Sequence, residues 1–442
     1  NSLVAVGDED GYVRLLEADA SSKASFSHVF LGFRVHQNAI IDMSFSDDDT
    51  RLVTASGDQS SRVVDMKTQT TISILSVHSA SLKQARFQPG SSNNDVIATS
   101  SRDGSIQIWD LRCKGYDKPL VQIHTPNPSE RSPETGKTQY CAVINSIYDA
   151  HSNISKITAN GVHDTPKRGD SAGRLGDVSV TAIQFLSSEL NHYLLSASEI
   201  NSSVKLWDIR NIRTSRRRNQ IPLSSTTQPW SHSKWRHFGI SSMNLSTDNS
   251  RLYTVCKDNT VYAYSTAHLR LGQASDGPRP VLNRSTQETL GPIYGFRHPQ
   301  FHATSFYVKS AIRKPVEGKC EMLAVGSGNG CAVIFPTDEN YIPFDRPDEN
   351  TNILGFPKSQ SDDNTIPIST RGTALIRGHQ REVGSMTWTH QGALITVGDD
   401  LLVRAWREGD EAKDLRVGGE QQGRRWGCGW ADVDQDYDND EV

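Results

Sequence analysis

The sequence predicts an all-β fold built from seven repeated strand units that carry large loops. Three observations lead to this prediction. Only 35% of the 442 residues are apolar, which is low for a compact α/β protein and suits sheets with long connections. A polar turn followed by an alternating apolar strand recurs along the chain. No run of residues approaches the length of about 18 apolar residues that a transmembrane helix needs.

The repeated unit is clearest around Trp109, where the turn Asp103-Gly104 precedes an alternating strand. In each unit an Asp or Asn stands six places before a large apolar residue, and the positions two and four before that residue are mostly apolar. The seven pairs are Asp10/Leu16, Asp58/Val64, Asp103/Trp109, Asn201/Trp207, Asp258/Tyr264, Asn329/Phe335 and Asp400/Trp406. A second short apolar run precedes each turn, so turn and strand form a hairpin.

The spacing of these units indicates a propeller. The last residues of successive units lie 48, 45, 98, 57, 71 and 71 positions apart. A four-stranded blade needs roughly 40–45 residues, so the longer intervals hold a blade plus an insertion. The pattern resembles the WD-repeat β-propeller, here with seven blades around a channel. That family joins a His, the turn Asp, a Ser or Thr and the Trp in a buried hydrogen-bonded set, which implies structural roles for His36, His78 and His379.

The ring must close, because open sheet edges promote aggregation. The first unit starts at its second strand, around residues 3–6, and so lacks an inner strand. We predict that residues 425–431 insert as this missing strand and that residues 414–417 form the outer strand of the last blade. Alternatively, residues that precede the present N-terminus supply the inner strand. The chain begins with Asn rather than Met, and we expect it to be part of a longer protein.

Two insertions and a tail complete the predicted organisation. Residues 1–433 form the propeller, with loop insertions at about 125–176 and 338–370 and a possible short helix near 143–151. Residues 434–442 form a disordered acidic tail. The basic run at 213–218 is a solvated loop in the simplest interpretation, and a nuclear import signal or a contact with an acidic partner in the alternative.

The sequence contains no coherent active site. The net charge of -4 excludes bulk electrostatic binding to nucleic acid or membrane as the main function. The six cysteines form no C-x-x-C pair and fit a reducing compartment without structural zinc. A G-x-S-x-G match at 169–173 lies in a Gly/Ser-rich insertion rather than between a strand and a helix. We therefore predict no catalytic residue, no cofactor and no metal, and a binding scaffold rather than an enzyme.

The most specific signal is the motif W-D-x-R, which ends two units. It comprises Trp109, Asp110 and Arg112 in one unit and Trp207, Asp208 and Arg210 in the next. The arginines are not needed for blade packing and are expected in the loop after the third strand, on one face of the disc. Guanidinium groups bind carboxylates and carbonyls through a fixed donor fork, so two of them form a paired anchor for a partner protein. The alternative is a local salt bridge.

W-D-x-R resembles the motif by which WD-repeat receptors dock on the adaptor of cullin-4 RING ubiquitin ligases, the large damaged-DNA-binding propeller subunit. Within that class the sequence resembles the denticleless family at residues 57–59, 102–113, 305–310 and at Gly378-His379. The resemblance covers the whole propeller apart from the insertions. Val64 and Phe335 depart from the usual Trp at the ends of their units.

The resemblance implies a non-catalytic substrate receptor in the nucleus. Receptors of this family recruit replication and cell-cycle regulators displayed on the sliding clamp and hold them near the ubiquitin-conjugating enzyme. Family degrons carry a basic residue, so acids on the face opposite the arginines are candidate contacts: Glu9, Glu382 and Asp399. Cations at equivalent places could instead meet the clamp or, indirectly, DNA: Arg102, Lys257 and Lys309. No membrane partner is expected.

Two other classes remain open from the sequence. One is a WD-repeat scaffold of a nuclear chromatin or RNA complex that is unrelated to ubiquitin. The other is a propeller hydrolase, which requires a polar, metal-ready channel that the repeats do not provide.

Overall fold

The computed structural model describes residues 3–18, 29–90, 94–115, 139–151, 178–212, 220–234, 237–271, 287–315, 320–339, 342, 366–376 and 378–407. Over these residues the chain is almost entirely β-structure, with two α-helices of five and six residues and two 3-10 turns. The all-β prediction is confirmed.

The first three blades follow one another along the chain as antiparallel sheets. Blade one contains β1 (Leu3–Gly7), β2 (Tyr12–Glu17) and β3 (Val29–Arg34). Blade two contains β4 (Ile40–Phe45), β5 (Arg51–Ser56), β6 (Ser61–Asp65) and β7 (Thr70–Leu75). Blade three contains β8 (Leu82–Phe87), β9 (Val96–Ser101), β10 (Ile106–Lys114) and β11 (Gln139–Ile147). In the part of the chain that the structure describes, blade one has three strands and starts at its second.

Blades four and five carry the two helices. Blade four contains β12 (Val180–Phe185), β13 (Tyr193–Ser198), β14 (Lys205–Asp208) and β15 (Ser224–Thr226), followed by α1 (Trp230–Lys234). The chain continues through β16 (Ile240–Leu245), β17 (Arg251–Cys256), β18 (Thr260–Ser265), α2 (Thr266–Leu271), β19 (Gln287–Thr289) and β20 (Tyr294–Phe296). Strands β16, β17, β18 and β20 form blade five.

Blades six and seven complete the described strands. The chain continues through β21 (Ser310–Arg313), β22 (Met322–Val325), β23 (Ala332–Pro336), β24 (Ile368–Ser369) and β25 (Thr373–Leu375). Strands β21, β22, β23 and β25 form blade six. Blade seven contains β26 (Val383–Trp388), β27 (Leu394–Gly398) and β28 (Val403–Trp406).

The hairpin between the second and third strand of a blade turns at the repeated Asp or Asn. The residue after it has positive φ in six units, at Gly11, Gln59, Gly104, Asn259, Gly330 and Leu401. The Asp side chain holds the turn by accepting from the backbone N–H two residues later, as Asp103 does from Ser105 at 2.9 Å. The local signal that the sequence displays seven times is therefore this turn.

Seven apolar clusters lie between neighbouring blades and close the ring. Val13 and Leu52 share the cluster between blades one and two. Equivalent clusters join blades two to three, three to four, four to five, five to six and six to seven. The last joins Ile395 and Ala405 of blade seven to Val4 of blade one. The burial of apolar side chains between every adjacent pair of blades stabilises the closed ring.

Three of the long connections return along the outer edge of the preceding blade. The start of β11 pairs in parallel with β7, β19 with β15, and β24 with β20. Each pairing adds a strand to a blade edge that would otherwise present unpaired N–H and C=O groups. The pairing of β7 with β11 merges blades two and three into one eight-stranded sheet.

The prediction of a short helix near 143–151 is wrong, because β11 occupies most of those residues as the outer strand of blade three. The region 125–176 is thus interrupted by a blade strand, and β24 lies within the expected insertion at 338–370. The proposed closing strands at 414–417 and 425–431, the acidic tail, the basic run at 213–218 and the motif at 169–173 lie outside the described residues and stay predictions.

Candidate functional site

The repeated His and Asp residues form buried hydrogen-bonded sets inside the blades. In blade three, His78 Nδ1 lies 3.1 Å from Asp103 and His78 Nε2 lies 2.8 Å from the Thr99 hydroxyl, which also accepts from Trp109 Nε1 at 2.8 Å. The Asp103 carboxylate also accepts from the Ser105 hydroxyl at 2.7 Å. Every polar group of the set is satisfied, so its role is structural, as the resemblance implied.

The same set recurs with variations. Blade seven repeats it with His379, Asp400, Thr396 and Trp406. Blade two pairs His36 with Asp58 at 2.8 Å, but Val64 offers no indole N–H, and Thr54 instead donates to the Arg62 carbonyl at 3.2 Å. The missing Trp therefore leaves the His–Asp pair of that blade intact.

Blade four completes its set with a residue that the sequence analysis missed. His151 Nε2 lies 2.9 Å from the Ser196 hydroxyl, which accepts from Trp207 Nε1 at 2.8 Å. Burial lowers the pKa of His151 well below its usual value, so the ring stays neutral. The sequence offered little signal, because His78 stands just before β8 whereas His151 lies far upstream of β12, inside the region assigned to an insertion.

Trp109 and Trp207 are fully or almost fully buried, which corrects their assignment to a contact surface. Their indoles face the interior of the blades and bond to Thr99 and Ser196. They hold the third strand in place, whereas the residues that follow reach the surface.

Arg112 is exposed and folded back on Asp110. Its Nε and Nη2 donate to the two oxygens of that carboxylate at 2.9 and 2.7 Å, while 64% of its side chain remains exposed. The Arg112 N–H also donates to Asp110 at 2.9 Å. This two-point bond fixes the plane of the guanidinium group and leaves its Nη1 donors without an acceptor in the described part of the chain.

Arg210 repeats this geometry in the next blade. Its Nε and Nη2 lie 3.1 Å from the two oxygens of Asp208, its N–H donates to the same carboxylate at 3.0 Å, and 62% of its side chain is exposed. Asn211 adds a further bond to Asp208 at 3.1 Å. The two motifs therefore present guanidinium groups in one common pose.

The two arginines lie at the same end of adjacent blades. Arg210 stands in the 3-10 turn Ile209–Asn211 directly after β14. Arg112 differs from the expectation of a loop position, because β10 continues past a bulge to Lys114 and includes it. Each arginine stands two residues after the Asp that follows the buried Trp of its third strand. Equivalent strands of a propeller run in the same direction, so both side chains lie on one face of the disc.

The ion pairs keep both motifs charged. Hydrogen bonds from Arg112 lower the pKa of the Asp110 carboxyl, and the pair raises the pKa of Arg112. At Asp208 burial opposes ionisation, but the hydrogen bonds from Arg210 outweigh it and the pKa is lowered. A second carboxylate, Asp95, lies 3.8 Å from Arg112 Nε and 2.9 Å from Arg51 Nη1 of blade two. The local salt bridge and the exposed cation therefore coexist.

The acids suggested for substrate contact are only partly brought together. Glu382 and Asp399 are adjacent through a backbone bond from the Asp399 N–H to the Glu382 carbonyl at 2.9 Å. The Glu382 carboxylate already accepts from the hydroxyls of Thr304 and Ser305. Glu9 is exposed in the first hairpin, and no contact in the described residues links it to the other two.

The three suggested cations differ in accessibility. Arg102 is exposed, whereas Lys257 lies 4.4 Å from the centre of the Phe306 ring. Lys309 is half-buried and donates to the Ser241 carbonyl at 3.0 Å, and burial lowers its pKa to about 8. Of the three, Arg102 presents the most accessible charge.

A further Asp-x-basic sequence was missed in blade two. Asp65 and Lys67 follow the end of β6, but Val64 replaces the Trp, so the motif is invisible to a search for W-D-x-R. The signal that could have found it is the alignment of the seven units on their turn residues.

The comparisons with known proteins agree with this architecture. The family description "WD domain, G-beta repeat" matches residues 27–65 and 69–110, which contain the sets of blades two and three. A relative from Schizosaccharomyces pombe, "Cell division cycle protein cdt2", is 27% identical over 92% of this chain. "Denticleless protein homolog" from Gallus gallus and from Homo sapiens are 26% and 25% identical over the same share. Over most of its length the chain is therefore similar to denticleless proteins, and it contains WD repeats.

The chain spans 66% of the length of the Schizosaccharomyces pombe relative and 45% and 44% of the chicken and human ones. Within its described residues, no helix is long and apolar enough to cross a membrane. The same residues contain no group of three or more His, Cys, Asp or Glu side chains arranged to hold a metal ion.

Proposed function

We propose that this protein, which is similar to denticleless proteins, is the substrate-recognition subunit of a cullin-4 RING ubiquitin ligase. It docks on the large damaged-DNA-binding propeller subunit, the adaptor, through Arg112 and Arg210. The observation that carries the proposal is the repeated Asp–Arg pair, which presents two exposed guanidinium groups in the same pose at the same end of adjacent blades.

The geometry suits a protein contact. Each guanidinium group has five N–H donors, of which two are bonded to the preceding Asp. The remaining donors point away from that carboxylate and can bind carbonyl or carboxylate groups of a partner. Because the side chains are already held in one plane, binding them costs less conformational entropy than ordering a free arginine.

The proposed role of the receptor is proximity rather than chemistry. It recruits replication and cell-cycle regulators that are displayed on the sliding clamp, and it raises their effective concentration near the ubiquitin-conjugating enzyme. We assign the substrate to the face opposite the arginines, where Arg102 and Asp399 are exposed, and we place the activity in the nucleus.

A catalytic propeller has less support. The His–Asp pairs that could resemble catalytic dyads are used inside the blades, with the rings of His36, His78 and His379 inaccessible to solvent. Their ring nitrogens bond to a Thr and an Asp of the same blade, so none is directed at a substrate. The remaining competitor is a scaffold of a chromatin or RNA complex.

The test is the affinity of the purified protein for the adaptor. We expect the Arg112→Ala/Arg210→Ala variant to lose adaptor binding by at least about tenfold, since interface arginines are frequent hot spots. Arg102→Ala/Lys257→Ala removes the same charge from the opposite face and is expected to bind the adaptor as the parent protein does. Unchanged co-purification of the first variant with the adaptor contradicts the proposal and favours the scaffold.

A reconstituted ligase assay tests substrate recruitment separately from docking on the adaptor. Ubiquitin transfer to a clamp-dependent substrate is expected to need this protein, the adaptor and the DNA-loaded clamp together. Transfer that is equal with and without the clamp would remove the clamp from the proposal while leaving the docking step intact.

A further inference from the structure

A third basic residue occupies the position of Arg112 and Arg210 in the blade before them. The Lys67 N–H donates to Asp65 Oδ1 at 2.8 Å, as Arg112 does to Asp110 at 2.9 Å and Arg210 to Asp208 at 3.0 Å. Lys67 and Arg210 come just after the end of their third strand, and Arg112 lies within the last residues of its third strand, β10. The backbone turn that presents the basic side chain is thus the same in blades two, three and four.

Lys67 is exposed, and its ammonium group makes no ion pair in the described part of the chain. Unlike the two arginines, it does not fold back on its own carboxylate, because an ammonium group cannot form the planar two-point bond. Its positive charge can therefore attract an acidic partner through the surrounding solvent.

Blades two and three are connected electrostatically on this face. Arg51 is the strand partner of Asp65 and donates to Asp95 of blade three at 2.9 Å. Asp95 in turn lies 3.8 Å from Arg112 Nε. Asp95 thus lies between the two cations Arg51 and Arg112, and Arg51 is placed by the strand register opposite the Asp65 that holds the turn of Lys67.

The pattern is confined to these consecutive blades. The equivalent positions after the third strand hold Glu17 and Asp19 in blade one, Ser265 and Ala267 in blade five, and Pro336 and Asp338 in blade six. Blade seven has Arg407 in place of the Asp. The basic residues therefore form one arc across three neighbouring blades rather than a ring around the face.

We propose that Lys67, Arg112 and Arg210 form one basic arc that meets an acidic strip on the adaptor, with blade two as its outer end. This inference rests on the proposed docking function and extends its surface by one blade. The arginines fix the docked position, while Lys67 acts at longer range and mainly accelerates encounter, as charges at the rim of an interface do.

The test is the association rate constant of the full protein with the adaptor, measured at low and at high salt. We expect Lys67→Glu to slow association about threefold to tenfold at low salt and to have little effect at high salt, with the dissociation rate almost unchanged. Lys67→Arg should retain the parent rate. Lys257→Glu makes the same charge change on the opposite face and should leave the rate within about twofold of the parent value.

The outcomes separate the arc from the docking function. If Lys67→Glu associates at the parent rate while Arg112→Ala/Arg210→Ala loses binding, the arc is wrong and docking through the arginines stands. Equal slowing by Lys67→Glu and Lys257→Glu also overturns the arc, because it reports only net charge. Should the double arginine variant bind normally, the docking function itself fails. Lys67→Gln, with a thermal melt of each variant, excludes misfolding as the cause of any slowing.

Discussion

Arg112 and Asp110, two residues apart at the end of β10, form a planar two-point ion pair in which the arginine stays exposed and the aspartate is largely enclosed. The aspartate thereby does two things at once. It accepts the Arg112 N–H, which shapes the turn, and it fixes the guanidinium plane. The same division between a supporting carboxylate and an exposed cation holds for Asp208 and Arg210.

The first prediction concerns this supporting carboxylate. Asp110→Asn and Asp208→Asn keep an oxygen for the turn but replace the second oxygen by an NH2 group, which cannot accept from Nη2. The guanidinium group then loses its fixed orientation, and we expect the double variant to bind the adaptor about fivefold more weakly, a loss of about 1 kcal/mol. Calorimetric titration with the adaptor measures this change.

Asp248→Asn is the matched control, because Asp248 holds a turn in blade five through Ser246 and the Ser250 N–H without any arginine. Its adaptor affinity should equal that of the parent protein. An undiminished affinity in Asp110→Asn/Asp208→Asn would show that the pose of the arginines does not matter for docking.

The second prediction separates the buried tryptophans from the docking surface. Trp109→Phe and Trp207→Phe each remove the indole N–H that bonds to Thr99 or Ser196 and leave a small cavity. We expect each to lower the free energy of unfolding by about 1–3 kcal/mol, measured by urea denaturation. The adaptor affinity of the folded variants should change less than twofold.

Trp406→Phe removes the equivalent bond to Thr396 in blade seven, far along the ring from both motifs. It should cost a similar free energy of unfolding. If folded Trp109→Phe loses adaptor affinity and Trp406→Phe does not, the prediction is wrong and the Trp109 indole contributes to docking.

The hairpins were predictable because their signal is local. An Asp or Asn six residues before the end of a strand marks a turn that the backbone forms without help from distant residues, as at Asp103 and Gly104. The positions of Arg112 and Arg210 followed from the same alignment. The features that depend on distant pairing did not follow, such as the parallel contact of β24 with β20.

The strand β11 illustrates why features that depend on pairing with distant residues were not predicted. It is an outer strand whose pairing with β10 shifts register twice, which disturbs the alternation of buried and exposed residues by which a strand is recognised. Its residues therefore suggested a helix, and the displacement of the blade boundary concealed His151. Lys67 was missed for a different reason, because Val64 removed the Trp that makes the motif conspicuous.

The third prediction is a pH dependence that arises at His151. Burial lowers the pKa of this ring, so below pH about 6.5 the unfolded chain takes up a proton that the folded chain does not. The unfolded state then binds more protons, and stability falls as the pH falls, by about 1.4 kcal/mol per pH unit for one such group. Unfolding free energies from urea titrations between pH 7.5 and 5.5 measure the slope.

His151→Gln keeps a hydrogen-bonding side chain and removes the titrating ring. Its unfolding free energy should fall less steeply with decreasing pH than that of the parent protein, whatever its absolute stability. The difference in slope should correspond to the uptake of about one proton on unfolding. His36 and His379 also have lowered pKa values and remain in the variant, so some slope persists. Parallel curves for the two proteins would mean that His151 is protonated in the fold.

The fourth prediction concerns the glycine before His379. A Cβ at Gly378 would lie 2.1 Å from Trp406 Cζ2 and 2.2 Å from Cη2, and the Trp406 ring is enclosed in the interface between blades six and seven. Gly378→Ala therefore forces the indole away from Thr396 or shifts the strand, and we expect it to lower the free energy of unfolding by about 2–3 kcal/mol. Gly384→Ala in the same blade is the control, since the nearest atom to its Cβ, the Tyr307 carbonyl oxygen, lies 3.6 Å away. If both variants unfold at the same urea concentration, the packing of Trp406 against Gly378 does not limit the stability of the blade.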